Sequence, residues 1–520
     1  MKRILSISLA LALMLSCAAA LAQDSELPIS QEPITLTAWV LDVNNVGIYE
    51  DSVLWDWLEE KTNIRIEVTS FSMSQQEALQ LRFATLDDLP DIGLRLDMPE
   101  ELLGDATEGG YIVELTDELL AEYAPYWANF LNEHPLADKL IRGMRVGLPN
   151  CDYVEYVGNF REQLLINKTW LDELGLEVPT TVSEFTAVLQ AFKDNAGVGS
   201  IPESVIPFYY QWDHRISGMF DILGFWGITV TQTHWLAIDD GQVVFQGINP
   251  DIIEPLKYLQ ELYALGLTPA ESFTDDRSMS IARTNSEEPY IGFFTSYANP
   301  NPDDYLAIAP MDTQTGVSPV IRKQEFTRTG TNDFIIFSGN QYVEESLALI
   351  DWIASNAEAT ANFQIGMQGY FWDYDENGLI KPYDTSAMST EELRALDPYC
   401  GFGNFIAGIR ADDFYAQYND IGYENPIHRA WLYENVYKSY IPEGETNYIA
   451  ASTGDDDLDL RRTDLANDIF NLRSTTLARW ITGQGDIDAE WDEYVQKMYD
   501  IGLEEYLELC QMGYDTLNIN

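Results

Sequence analysis

Cysteine, histidine and positive charge are all scarce in this chain. Only four of its 520 residues are cysteine. Cys17 lies in the N-terminal apolar run, which leaves Cys151, Cys400 and Cys510, too few to staple a chain of this length and odd in number. Stability must come from packed cores, for which a hydrophobic fraction of 46% is ordinary. The histidines, at positions 134, 214, 234 and 428, are dispersed and show no metal-ligand spacing. Against 85 acidic residues stand only 29 basic ones, a formal net charge of −56. Such a surface repels phosphate backbones and anionic headgroups, which excludes nucleic acid as a partner. Beyond the N-terminus no apolar run is long enough for a membrane span. No nucleophile elbow, phosphate loop or zinc motif is present, so nothing marks an enzyme.

What is present begins with "MKRILSISLALALMLSCAAALAQ". Lys2 and Arg3 precede an uncharged run from Ile4 to Ala22, the layout of a secretory signal over residues 1–22, so export is expected. Ala20-Leu21-Ala22 reads as a cleavage site that starts the mature chain at Gln23. Cys17 is the alternative, as the lipid-accepting residue of a lipoprotein, although Leu15 stands where a small residue is usual.

Periodicity then gives an α/β order. "ITLTAWVL" (Ile34 to Leu41) has the content of a buried strand, Val53, Leu54, Trp57 and Leu58 form a helical face, and Ile64, Ile66 and Val68 alternate as a strand. Strand, helix, strand is the unit of a parallel sheet. A helix from about Gln75 to Ala84 and a strand at Asp91 to Leu94 repeat it. A second α/β region opens with a strand at Leu164 to Ile166, a helix at Thr169 to Leu174 closed by Gly175, and a longer helix capped by Thr181 or Ser183. Phe334 to Phe337 reads as a strand, and the last residues as helices broken at Gly483 and Gly502. The acidic run Asp455 to Asp459 suits a helix N-terminus better than a metal cage. In "FWDYDENGLIKPYD", Asp373, Asp375, Asn377 and Gly378 match the spacing of a calcium loop, but the twelfth position is Asp384 rather than Glu. A hairpin with Asn377-Gly378 as a type I′ turn is the simpler reading.

Four segments in order resemble the extracellular solute-binding proteins of family 1, which deliver mostly carbohydrates to ABC importers. "LEEKTNIRIEV" (Leu58 to Val68) resembles "LEEKTGIKVE", and "RFATLDDLPDI" (Arg82 to Ile92) resembles "ASGDLPDI". "LLINKTWLDELGLEVPTTVSEF" (Leu164 to Phe185) resembles "WINKKWLDKLGLKVPTTLDEL", and "GMQGYFWDYDENGLI" (Gly366 to Ile380) resembles "GIEGxxYxxDENGKI". The tail "WITGQGDIDAEWDEYV" resembles the larger, lipoprotein-like members that handle oligosaccharides. The resemblance implies an α/β, two-lobed periplasmic-binding-protein-like fold with an inter-lobe ligand cleft and hinge crossovers. Lobe 1 is expected at 33–155 plus 330–368 and lobe 2 at 156–329 plus 369–520. It further implies an exported monomer, in the periplasm or on the outer face of the cell membrane, that hands a carbohydrate to membrane permease subunits. Neither a cofactor nor catalysis is called for. A secreted glycan-active enzyme and a calcium-dependent surface glycan-binding protein are the alternatives.

In open parallel sheets ligands gather beyond the C-terminal strand ends. Sugars present hydroxyls around the ring and C–H patches on its faces, so their sites pair aromatic platforms with amides, carboxylates and guanidiniums. On those grounds Trp212, Trp226, Tyr297 and Trp372, all in irregular stretches, are the expected platforms. Asn45, Arg95, Asp97, Arg161, Asp213 and Asn332 are the expected polar contacts. Trp57, Trp170 and Trp352, on amphipathic helices, are assigned to the core.

Overall fold

A computed structural model describes residues 27–42, 50–134, 137–138, 140–152, 160, 162–212, 218–230, 235–323, 332–383, 388, 390–402, 408–410, 417–418, 426, 428–442, 448 and 450–516. The expected signal segment lies outside them. The chain forms two compact units, Met1–Asp152 with Thr329–Asn419 and Tyr153–Arg328 with Asp420–Asn520.

Unit 1 is built on a six-stranded sheet in the order β14-β4-β11-β3-β1-β2. Its strands are β1 (Ile34–Asp42), β2 (Ile64–Ser72), β3 (Ile92–Leu94), β4 (Leu148–Asp152), β11 (Asn332–Ile336) and β14 (Gly408–Arg410). β1 pairs with β2 and β3 in parallel, as the strand-helix-strand pattern requires. The crossover helix Val53–Thr62 starts where Ser52 accepts the Leu54 N–H and ends at Asn63, whose φ of 60° breaks the helix. It buries Leu54, Trp55 and Leu58, while Trp57 is half-buried and stacks on Trp352 at 5.8 Å. β11 departs from the parallel rule: it runs antiparallel to both β3 and β4 and lies between them.

Residues 369–419, expected in lobe 2, belong to unit 1. The reason is packing: the hairpin of β12 (Trp372–Tyr374) and β13 (Ile380–Pro382) buries Trp372 and Ile380 against Ala361 of the helix Ala357–Gln364. Beyond it, β14 joins β4 in parallel.

Unit 2 holds a four-stranded sheet, order β10-β5-β9-β6, from β5 (Gln163–Asn167), β6 (Ile206–Phe208), β9 (Ile291–Ser296) and β10 (Tyr305–Ile308). A hairpin, β7 (Leu236–Asp239) with β8 (Gln242–Phe245), stands apart. Thr181, rather than Ser183, caps the helix Val182–Asp194, in a capping box with Glu184. Asp455 caps the helix Asp456–Ile481 by accepting the N–H groups of Asp457 and Leu458, so the acidic run serves the helix start. The following helices, Ile487–Asp500 and Leu503–Thr516, are separated by breaks containing Gly483 and Gly502, both at positive φ. Trp480, Trp491 and Tyr494 pack on one another there. No described helix is long and apolar enough to cross a membrane.

Candidate functional site

Strand direction decides which residues share an edge. In unit 1 the C-terminal ends of β1, β3, β4 and β14 point the same way, and β11, being antiparallel, starts at that edge. Asp42, Arg95 to Asp97, Asn150 to Asp152 and Asn332 therefore converge.

The loop after β3 is strained: Arg95 has φ 47° and Asp97 φ 53°, a region that costs a residue with a Cβ about 1–2 kcal/mol. Two contacts hold it there. Leu96 is fully buried among Trp39, Leu41 and Phe337, and the Arg95 N–H donates to the Asp333 carbonyl at 2.7 Å. Asp333 is itself buried, and its carboxylate accepts the Asn150 N–H at 3.0 Å, which ties β4 to the same point. With Leu96 turned into the core, Arg95 is half-buried and Asp97 exposed, and Gln76 donates to the Asp97 carboxylate at 3.2 Å. Non-glycine residues held in this conformation cluster at ligand clamps, and here two flank one plug residue.

In unit 2, Gln163 lies opposite Ser296, so the start of β5 and the end of β9 share an edge, and β6, parallel to β9, ends there too. Phe160, Gln163, Tyr209 to Trp212 and Tyr297 are thereby gathered. Tyr297 is 39% exposed. One face of its ring lies on the Arg429 guanidinium at 3.9 Å, and that guanidinium lies on Phe160 at 4.0 Å. Phe160 in turn packs at 4.8 Å, tilted by 33°, on Tyr437, whose hydroxyl accepts the Leu164 N–H. Arg429 also donates to the carbonyls of Tyr297 (2.7 Å) and Phe160 (2.6 Å), and the Gln163 amide donates to the Tyr297 carbonyl at 3.0 Å. Behind this edge, burial pushes the Tyr209 phenol up to about 12, so it stays a hydrogen-bond donor, here to Asp275 at 2.9 Å.

The expected residues divide accordingly. Arg95, Asp97 and Asn332 share the edge of unit 1, and Trp212 and Tyr297 that of unit 2. Trp212 is half-buried, its ring tilted on Phe273 at 5.2 Å and its indole N–H donated to Ser474 at 3.0 Å. Trp226 ends a 3-10 turn and packs on Tyr258 at 5.4 Å, on the helix Ile253–Ala264 rather than at a strand end. Asn45, Arg161 and Asp213 lie outside the described residues.

Trp372 is a correction. Its side chain is fully buried, with the indole N–H donated to Asn362 (3.1 Å) and the Gly366 carbonyl (2.9 Å), so it is a core residue and offers no face to a sugar. The turn beside it is corrected too. Only Gly378 of the Asn377-Gly378 pair takes positive φ, and Gly378 N–H donates to the Asp375 carbonyl. That is a type I turn followed by a left-handed glycine, not type I′. Asp375 accepts the N–H groups of Asn377 (2.8 Å) and Leu379 (2.9 Å), and Asp373 those of Gln368 and Tyr374, so both carboxylates serve the hairpin. Sequence reasoning missed Arg429, Phe160 and Gln163. The scarcity of basic residues was the one available signal for Arg429.

Unit 1 thus gathers mainly polar residues at its strand-end edge, and unit 2 gathers aromatic and polar ones. The chain belongs to the bacterial extracellular solute-binding protein family, whose model matches residues 44–360. It is therefore exported and extracytoplasmic. It is similar to the fructooligosaccharide ABC transporter substrate-binding protein FusA of Streptococcus pneumoniae, 24% identical over 484 residues, 89% of this chain and 86% of that protein. The structure of FusA in complex with kestose superposes with a TM-score of 0.75 at 21% identity, covering 93% of this chain and 99% of that one. An HMO-binding, ABC-transporter-associated solute-binding protein from Bifidobacterium longum infantis gives a TM-score of 0.71 at 20% identity, covering 94% and 99%. These likenesses establish the two-domain fold of the periplasmic-binding-protein type.

Proposed function

We propose that this protein captures an oligosaccharide and delivers it to an ABC importer, binding it without chemical change. The observation that carries the reading is the half-exposed Tyr297 ring, held from behind at a strand-end edge. An aromatic face there suits the C–H patch of a sugar, and within unit 1 Arg95 and Asp97 are side chains of the kind that bond sugar hydroxyls. The names of FusA and of the Bifidobacterium protein point to the same ligand class. Hinge closure around a ligand is the mode of action for which periplasmic binding proteins are a standard example.

The test is a thermal-shift screen of the purified mature chain against fructan, glucan, galactan and xylan oligosaccharides of three to five units, with peptides as controls. A ligand that binds only the folded state raises the melting temperature with concentration. A shift with oligosaccharides is expected. A flat response to every sugar together with a shift from peptides overturns the carbohydrate reading. Release of reducing sugar above a heat-killed control overturns the absence of catalysis. We further propose a monomer, tested by light scattering. The intact mass of the exported protein distinguishes a Gln23 start from acylation at Cys17.

A further inference from the structure

Tyr370 and Tyr399, both in unit 1 and in neither strand-end set, lie face to face: their ring centroids are 3.6 Å apart and their planes differ by 9°. A full sandwich is not what two ring quadrupoles choose, so something else must hold this register. The backbones come together first. The Met367 N–H donates to the Tyr399 carbonyl at 2.9 Å, and Gly366 pairs with Cys400 in an antiparallel bridge. A Cβ on Gly401 would stand 2.6 Å from the Gly366 nitrogen, so only glycine permits this approach. The phenols complete it. Hydrogen bonding to the Tyr399 hydroxyl holds the Tyr370 phenol above its usual value, so the two hydroxyls meet at the same end of the stack. With planes parallel and hydroxyls together, the carbons ortho to one oxygen lie over their counterparts at about the ring separation. Tyr370 is 43% exposed and Tyr399 half-buried, so solvent reaches the pair.

We propose that this pair is an oxidative modification site, at which hydrogen peroxide acting through a haem peroxidase joins the two rings as dityrosine. Each phenol gives up one electron and one proton, and together these reduce one peroxide to two molecules of water. The unpaired spin of a phenoxyl radical lies partly on its ortho carbons, and two such carbons couple by approaching along the normals of their rings. The stack already holds them that way, close to the roughly 3–3.5 Å of a near-attack pair. A carbon–carbon bond forms, and the hydrogen on each bonded carbon moves through solvent to the neighbouring oxygen, restoring both phenols. The product ties the turn before β12 to the 3-10 turn Asp397–Tyr399. An exported protein works in an oxidising compartment, where such chemistry has its reagents. The Cys400 thiol next to the pair is a poor competitor for peroxide, because burial raises it and keeps it protonated.

The test treats the purified mature protein with a haem peroxidase and an equivalent of hydrogen peroxide, then reads dityrosine fluorescence and the masses of the intact chain and its proteolytic peptides. A monomer lighter by two hydrogens is expected, with the peptides that contain Tyr370 and Tyr399 joined. Tyr370→Phe and Tyr399→Phe are each expected to lower the fluorescence by about tenfold, because each removes one partner of the prepositioned pair. Two variants are used so that a folding failure in one leaves the other to decide. Tyr374→Phe and Tyr383→Phe, at positions as exposed as Tyr370 but packed on no tyrosine among the described residues, are expected to leave it unchanged within about twofold. A link between other tyrosines, a covalent dimer in place of the internal link, or oxidation of Cys400 with both tyrosines intact overturns the proposal, as does the absence of any product. None of these outcomes depends on the carbohydrate reading.

Discussion

At the scale of single residues, burial separates the aromatic side chains that build the protein from those available to a ligand. Trp372 and Tyr297 look alike in sequence, each an aromatic in an irregular stretch, yet one is fully buried and the other 39% exposed. Composition cannot distinguish them, because exposure depends on Asn362 and Gly366 closing around one indole, whereas the other ring lies against the Arg429 guanidinium at a strand end. Trp372→Phe should lower stability by about 2 kcal/mol, through two lost hydrogen bonds and a small void, with the sugar dissociation constant unchanged within about twofold. If affinity falls while the melting temperature holds, Trp372 is a platform after all. Arg95→Ala should do the reverse, weakening oligosaccharide binding by about tenfold for a charged hydrogen bond while leaving the melt nearly unchanged. Equal titration curves for variant and wild type would remove Arg95 from the site.

At the scale of elements, periodicity and capping signals made much of the α/β order readable. Thr181, Asn63, Gly175 and Asp455 do locally what their chemistry predicts, since a cap depends on its nearest few residues. The direction of β11 and the allegiance of the 372–382 hairpin were not readable, because both are settled by partners far away in the chain. Two carboxylates on helices offer tests of opposite sign. Glu490, in the helix Ile487–Asp500, pairs with Arg479 and accepts the Trp480 indole N–H at 2.9 Å, and hydrogen bonding to Arg479 above all brings its carboxyl down to about 2. A lowered folded-state value means stability that is complete above the ordinary value of 4.5 and disappears as pH falls toward 2. The melting-temperature gap between wild type and Glu490→Gln should therefore be widest near neutrality and shrink below pH 4.5. Asp351 accepts the Trp127 N–H at 3.0 Å at the start of the helix Pro125–Glu133, but burial dominates and raises its carboxyl to about 6. A raised value contributes stability present below 3.8 and lost as pH climbs through 6. Relative to Asp351→Asn, the wild type should lose ground between those two values and level off above them. A pH-independent gap in either series would contradict the corresponding contact.

At the scale of the whole molecule, charge was the most legible property and the ligand the least. A formal charge of −56 acts against compactness through self-repulsion, whatever the fold. Screening shortens from about 30 Å at 0.01 M salt to about 8 Å at 0.15 M, so the melting temperature should climb over that range. Each kcal/mol of repulsion relieved is worth roughly 2–4 °C in a domain of this size. A flat or falling salt series would show that the acidic residues are already compensated by their neighbours. The identity of the sugar stays hidden at this scale because it depends on a few side chains gathered by strand direction, not on any bulk property. The placement of β11 also bears on biogenesis. A sheet begun at residue 34 lacks a central strand until residue 332 has been made. At about 5–20 residues per second, that is roughly 15 to 60 s of translation. Through that interval the sheet of unit 1 lacks its central strand, whereas all four strands of the unit 2 sheet are already made by residue 308, so closure of unit 1 waits on the later part of synthesis.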